Sequence, residues 1–117
     1  MDKRQEHVSP DGTLRLVIIR EDDDFTIGFD GYGWHTHGDV IAGELQLIGE
    51  PALPPDEAVK RFVTDLVGER VAICIYRTNG RIDDIAATYI PAENDPYLGP
   101  GESLEIRTWS GAAWRAD

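Results

Sequence analysis

Apolar positions along this chain recur with two different periods, and the change between them divides the sequence into hairpins and a helix. Residues 14–20 are rich in β-branched side chains and predict a strand. Glu21-Asp22-Asp23-Asp24 then predicts a solvated turn, because adjacent carboxylates repel one another and cannot be buried together. The run lacks the alternating acidic ligands and central glycine of a calcium-binding EF-hand loop. Asp30-Gly31 is a type I′ hairpin signal between two aromatic-rich stretches. Closing the hairpin there sets Phe29 opposite Tyr32, Ile27 opposite Trp34 and Phe25 opposite Thr36 on one apolar face. The other face receives Gly28 with Gly33, Thr26 with His35, and Asp24 with His37. A slip of one residue would mix the two sets, so the alternation supports this pairing.

Glu44-Leu45-Gln46-Leu47-Ile48 alternates and predicts a short strand, ended by Gly49-Glu50-Pro51. A helix follows over residues 55–68. Pro55 suits its first turn, Asp56 and Glu57 face the positive end of the dipole, and Gly68 stops it. Val59, Phe62, Val63, Leu66 and Val67 form a one-sided apolar stripe that reads as core. Residues 71–77 and 82–90 form a second hairpin around Asn79-Gly80. Placing Gly80 in a left-handed bulge aligns Val71 with Ala87 and Ile73 with Ile85, which gathers the apolar residues on one face. A loop rich in proline, glycine and acids spans residues 91–102, and residues 103–109 alternate as a final strand. The first ten residues read as loose, and the tail at 111–117 carries Trp114, which should fold back onto the body. The expectation is a single α+β domain over residues 1–117. Its antiparallel sheet of about five to six strands is built from hairpins, with one amphipathic helix packed on one face. The opposite sheet face is left to solvent or to a partner, and unpaired strand edges would suit a dimer.

Composition adds one strong constraint. Of 117 residues, 22 are acidic and 11 basic, a formal charge of -11, while 41% are hydrophobic, enough to build a core. So acidic a surface argues against nucleic acid, whose phosphates need clustered basic side chains, and against an anionic membrane. Apolar runs such as residues 16–19 are far shorter than the ~20 residues of a membrane helix. No signal-type stretch follows the polar N-terminus, so the expected location is the cytoplasm. The single cysteine, Cys74, lies within an apolar strand pattern and reads as a small core residue, not a nucleophile.

Candidate chemistry concentrates in Trp34-His35-Thr36-His37-Gly38-Asp39. In a strand, His35 and His37 project together, and Asp39 joins them if the strand continues. Two imidazoles and a carboxylate on one face could hold iron or zinc, with Asp24 as a further ligand or an orienting partner. The same residues also describe a solvated strand face on which His37 pairs with Asp24 and His35 packs beside Thr26. The balance favours the second arrangement, with no metal and no cofactor assigned. Asp30-Gly31-Tyr32-Gly33 lacks the lysine and following helix of a phosphate loop, and no Gly-x-Ser-x-Gly elbow is present. No catalytic residue is assigned.

The stretch Gly31-Tyr32-Gly33-Trp34-His35-Thr36-His37-Gly38-Asp39, followed by Pro55-Asp56-Glu57-Ala58-Val59-Lys60-Arg61-Phe62-Val63-Thr64-Asp65-Leu66, resembles small acidic bacterial proteins of unknown function. Some of these are similar to the immunity proteins that neutralise secreted toxins. The resemblance implies a protein-binding module for a basic partner and carries over no individual functional residue. The reading of the chain itself puts the partner surface at Trp34, His35, His37, Asp39 and Asp24. The alternative is a small metal- or ligand-binding protein that uses the His35/His37 face.

Overall fold

The computed structural model describes residues 3–92 and 98–115. The first two residues, the centre of the expected 91–102 loop and the last two residues of the expected tail lie outside the described residues. The elements are β1 (Lys3–Val8), β2 (Arg15–Glu21), β3 (Asp24–Phe29), β4 (His35–His37), α1 (Gly38–Leu47), α2 (Pro55–Val67), β5 (Ala72–Thr78), β6 (Arg81–Thr88) and β7 (Glu102–Arg107). The fold is α+β, as expected. Its strands form two antiparallel sheets, β1-β2-β3-β4 and β6-β5-β7, in place of one, and two helices stand where one was expected.

The second helix is a correction with a clear cause. Alternation of Leu45 and Leu47 mimics a strand, yet α1 buries Leu45 fully and leaves Leu47 77% exposed. The spacing that decides is Ile41 to Leu45, four residues and one helical turn apart, both buried. Residues 3–8, expected to be loose, instead pair along β2 from Lys3 opposite Arg20 to Val8 opposite Arg15. Their polar sequence fits an edge strand, in which only His7 is half-buried and exposed charges discourage further pairing.

Both hairpins keep the expected faces and change the expected partners. Thr26 pairs with His37, Ile27 with Thr36 and Gly28 with His35, two residues away from the predicted register. The turn is correspondingly longer, spanning residues 30–34, with Gly31 in the left-handed region at φ 87°. An even shift leaves every side chain on its original face, which is why the amphipathic pattern survives. In the second hairpin Asn79 and Gly80 both have positive φ, as a tight type I′ turn requires. Thr78 pairs with Arg81, and an irregularity beyond Arg77 then sets Ile75 opposite Ile85 and Ile73 opposite Ala87. This too lies two residues from the predicted pairs, with the apolar face intact.

One core joins both sheets and both helices. It draws Leu16, Ile18, Ile27 and Phe29 from the first sheet, Ile41 and Leu45 from α1, Phe62 and Leu66 from α2, and Ile73, Ile75 and Ile85 from the second sheet. Of the predicted α2 stripe, Val59, Phe62 and Leu66 are buried and Val67 is half exposed, so the stripe is narrower than the sequence suggests. Gly68 ends α2 as expected, but the left-handed residue is Glu69 (φ 70°), and the Arg70 amide donates back to the Asp65 carbonyl at 2.8 Å. The tail folds back: the Trp114 amide donates to the Ile106 carbonyl at 3.2 Å. Arg107 donates to Asp11, far from it in sequence, at 2.7 Å and ties the loop before β2 to the end of β7.

Candidate functional site

Cross-strand partners share a sheet face, so His35 and His37 stand on the same side as Gly28 and Thr26. Both helices pack on the opposite side, against Ile18, Ile27 and Phe29. The histidine face of the first sheet therefore carries no helix. The two imidazoles lie edge to face with ring centroids 5.3 Å apart. His35 Nδ1 lies 3.3 Å from the Gly33 carbonyl and His37 Nδ1 lies 3.1 Å from the Phe25 carbonyl. A carbonyl only accepts, so each Nδ1 carries the proton and each Nε2 is the position left to a partner or ligand.

Asp24 reaches His37 diagonally instead of standing directly opposite, with 3.8 Å between Oδ1 and Nδ1. The Asp24 side chain is 70% exposed, so solvent screens this contact. Asp39 does not join the histidines on the strand. The chain enters α1 at Gly38, with His37 as its extended N-cap, and the Asp39 carboxylate accepts the Val40 amide at 2.9 Å. Among the described residues no group of three or more His, Cys, Asp or Glu side chains is placed to hold a metal ion. Trp34 sits at the boundary between faces. Its ring packs 5.9 Å from Phe29 on the core side, and its amide donates to Asp84 of β6 at 3.0 Å, pinning the β3–β4 turn to the second sheet.

That turn walls a shallow concavity of about 400 Å³, lined by Arg4, Val17, Ile19, Thr26, Gly28, Trp34 and His35 among others. Gly28 has a steric role in it: a Cβ there would lie 2.9 Å from the Trp34 carbonyl oxygen, so any side chain would lift the turn off β3. Arg4 was not legible as a site residue, because β1 itself has no strand-like pattern. Acidic charge gathers at the other end of the face, in the Glu21–Asp24 turn, where Asp22 takes a left-handed conformation at φ 54°.

A second ionic cluster, which the sequence does not reveal, lies beneath α2. The Asp65 side chain is only 5% exposed. Its Oδ2 accepts Arg61 Nε at 2.9 Å and the Tyr89 hydroxyl at 2.7 Å. The same guanidinium makes two contacts to Glu50, at 3.3 and 3.2 Å. Glu44 accepts the Thr88 hydroxyl at 2.6 Å and the Tyr89 amide at 3.0 Å. Burial pushes the Tyr89 phenol far above the usual tyrosine range, and its hydrogen bond to Asp65 adds to the shift. The groups satisfy one another, so the cluster clamps α1 and α2 to the end of β6. Cys74 is buried, and burial pushes its thiol up to about 11, which keeps it protonated at neutral pH.

No protein-family model, curated protein or solved structure matches this chain. None of its helices among the described residues is long and apolar enough to cross a membrane.

Proposed function

We propose that this protein is a binding module of the immunity type, an inhibitor that engages a basic protein partner through the helix-free face of its first sheet. The observation that carries the reading is the combination of that open face with its acidic end: Asp24, which approaches His37, and its cross-strand partner Glu21 are exposed, as are Asp22 and Asp23 in the turn between them. The chain's net charge of -11 has the same sign. Complementary charge accelerates encounter and selects among partners more than it adds affinity. His35 and His37 would supply the contacts nearer the centre of the surface, while the Trp34 ring packs against Phe29 on the core side and holds the turn that shapes its edge.

The test is capture from the native host at low salt, followed by association kinetics of the captured protein. A stoichiometric basic partner should associate about tenfold more slowly with the charge-reversed Asp22→Lys/Asp24→Lys protein, and more slowly in high salt. Absence of any stoichiometric partner, or an unchanged rate with the charge-reversed protein, overturns the proposal.

The concavity beside His35 favours a second reading, a small ligand-binding protein that uses the His35/His37 face. It requires a small molecule whose binding protects His35 and is lost in Gly28→Val, where the new side chain would meet the Trp34 carbonyl.

A further inference from the structure

The strongest unexplained feature lies on the other side of the first sheet, where its edge meets α2. A cleft of about 310 Å³ opens there, with buried Ile18 and Val59 and half-buried Phe25 among its walls. Three cations, Lys3, Arg20 and Lys60, line it as well. Acids outnumber bases two to one in this chain, yet among the described residues none of these three has a carboxylate within ion-pair distance. Arg4, Arg15, Arg61, Arg77 and Arg107 are paired, and Arg70, Arg81 and Arg115 also lack a carboxylate within ion-pair distance among the described residues, so what sets the cleft apart is that three such cations share it.

The strand register sharpens the point. Lys3 stands directly opposite Arg20 on neighbouring strands, and like charges in that arrangement repel and destabilise the pair. Arg20 is also held in place: its guanidinium lies 5.5 Å from the centroid of the Phe25 ring, and its Nε donates to the Asp22 carbonyl at 3.1 Å. The cleft thus presents a positioned guanidinium and two ammonium groups beside an apolar wall, the combination that holds an anion carrying an apolar body. The long-range field of an acidic protein opposes such a ligand, but charges beyond about 8 Å are largely screened at physiological salt, so the groups at the cleft decide. Asp56 on the rim, and Asp23, which lines an adjoining hollow with Arg20 and Phe25, are the acids beside them.

We infer that this cleft binds a small organic anion, a carboxylate or phosphate monoester attached to an aromatic or aliphatic body. The anionic group sits among Lys3, Arg20 and Lys60, and the body lies against Phe25, Ile18 and Val59. The cleft opens on the helix side of the sheet, opposite the histidine face, and meets the proposed partner surface only at the Glu21–Asp24 turn, where Arg20 donates to the Asp22 carbonyl.

Titration of the isotopically labelled full chain with phenyl phosphate and with benzoate, followed by amide NMR, tests this. Saturable shifts centred on Ile18, Phe25 and Val59 are expected with at least one of the two, and the tighter probe identifies the preferred head group. Arg20→Gln and Lys60→Gln should each weaken binding at least fivefold, whereas Asp56→Asn should tighten it. The opposite sign is a response that a merely structural role for these residues would not produce. Shifts that never saturate, affinities unchanged in both Arg20→Gln and Lys60→Gln, or inorganic phosphate binding as tightly as phenyl phosphate would each overturn the inference. Thermal unfolding of each variant confirms that the comparison is made between folded proteins.

Discussion

Two clusters of charge in this molecule use similar residue types for opposite purposes. On the open face of the first sheet, Asp24 and His37 approach to 3.8 Å with the carboxylate in solvent. Beneath α2, Asp65 is buried and accepts both Arg61 and the Tyr89 hydroxyl. An exposed pair loses most of its attraction to water and costs side-chain freedom, so it adds little stability and stays available to a partner. A buried carboxylate must have its hydrogen bonds met within the fold, so it fixes neighbouring elements and has nothing left to offer. Availability and stability are divided between the two.

The largest effect that would break this contrast is at Asp65. Replacing it with Ala leaves the Tyr89 hydroxyl without its acceptor and removes one of the two carboxylates that hold Arg61. The expected cost is about 1–3 kcal/mol, read by urea unfolding. A loss no larger than that of an exposed pair would place both clusters in one class.

Tyr89→Phe should come next, at about 1 kcal/mol near neutral pH. It also has a pH signature. The folded-state pKa of Tyr89 is raised, so its contribution is fully present below the ordinary phenol value of about 10 and is lost as pH rises beyond it. Stability of the native chain should therefore fall in strong alkali more steeply than that of Tyr89→Phe, and parallel curves would contradict the assignment.

Asp11 supplies the acid counterpart. Hydrogen bonds from Ser9, Arg107 and Thr13 hold its carboxyl well below the usual range. A depressed folded pKa contributes stability above the unfolded value near 3.9, which is lost as pH falls toward the folded one. Thermal melts at descending pH should show Asp11→Asn approaching the native protein in strong acid.

The smallest effect is expected at the histidine face. His37→Ala should change stability by about 1 kcal/mol or less, and EDTA should leave the melting temperature of the native protein unchanged. A large loss on chelation that disappears in His37→Ala would instead make the open face a metal site.

The sequence made the faces legible and left the register hidden, for one physical reason. Alternation fixes which side a residue occupies, so Thr26, His35 and His37 share one face in either register even though the pairing differs by two residues. Only the length of the 30–34 turn decides the partner, and that turn is held by Trp34 reaching Asp84, fifty residues away. The second ionic cluster was illegible for a related reason. Arg61 and Asp65 look like an exposed helical pair one turn apart until Tyr89 and Glu50 arrive from elsewhere in the chain. Asp39 would join the histidines only if the strand continued, and nothing in a strand-like His-x-His pattern announces that α1 begins at the next residue.

The bond between Arg107 and Asp11 bears on the speed of folding as well as its strength. It joins residues 96 apart, whereas the β2–β3 and β5–β6 hairpins each close over only a few residues. Local turns close cheaply in chain entropy, and distant contacts must wait until much of the chain is ordered. The Arg107–Asp11 clasp should thus be among the last contacts made and the first released. In stopped-flow measurements Asp11→Asn would leave the refolding rate nearly unchanged and carry its effect in faster unfolding, so that this one bond acts as a latch on the lifetime of the native state.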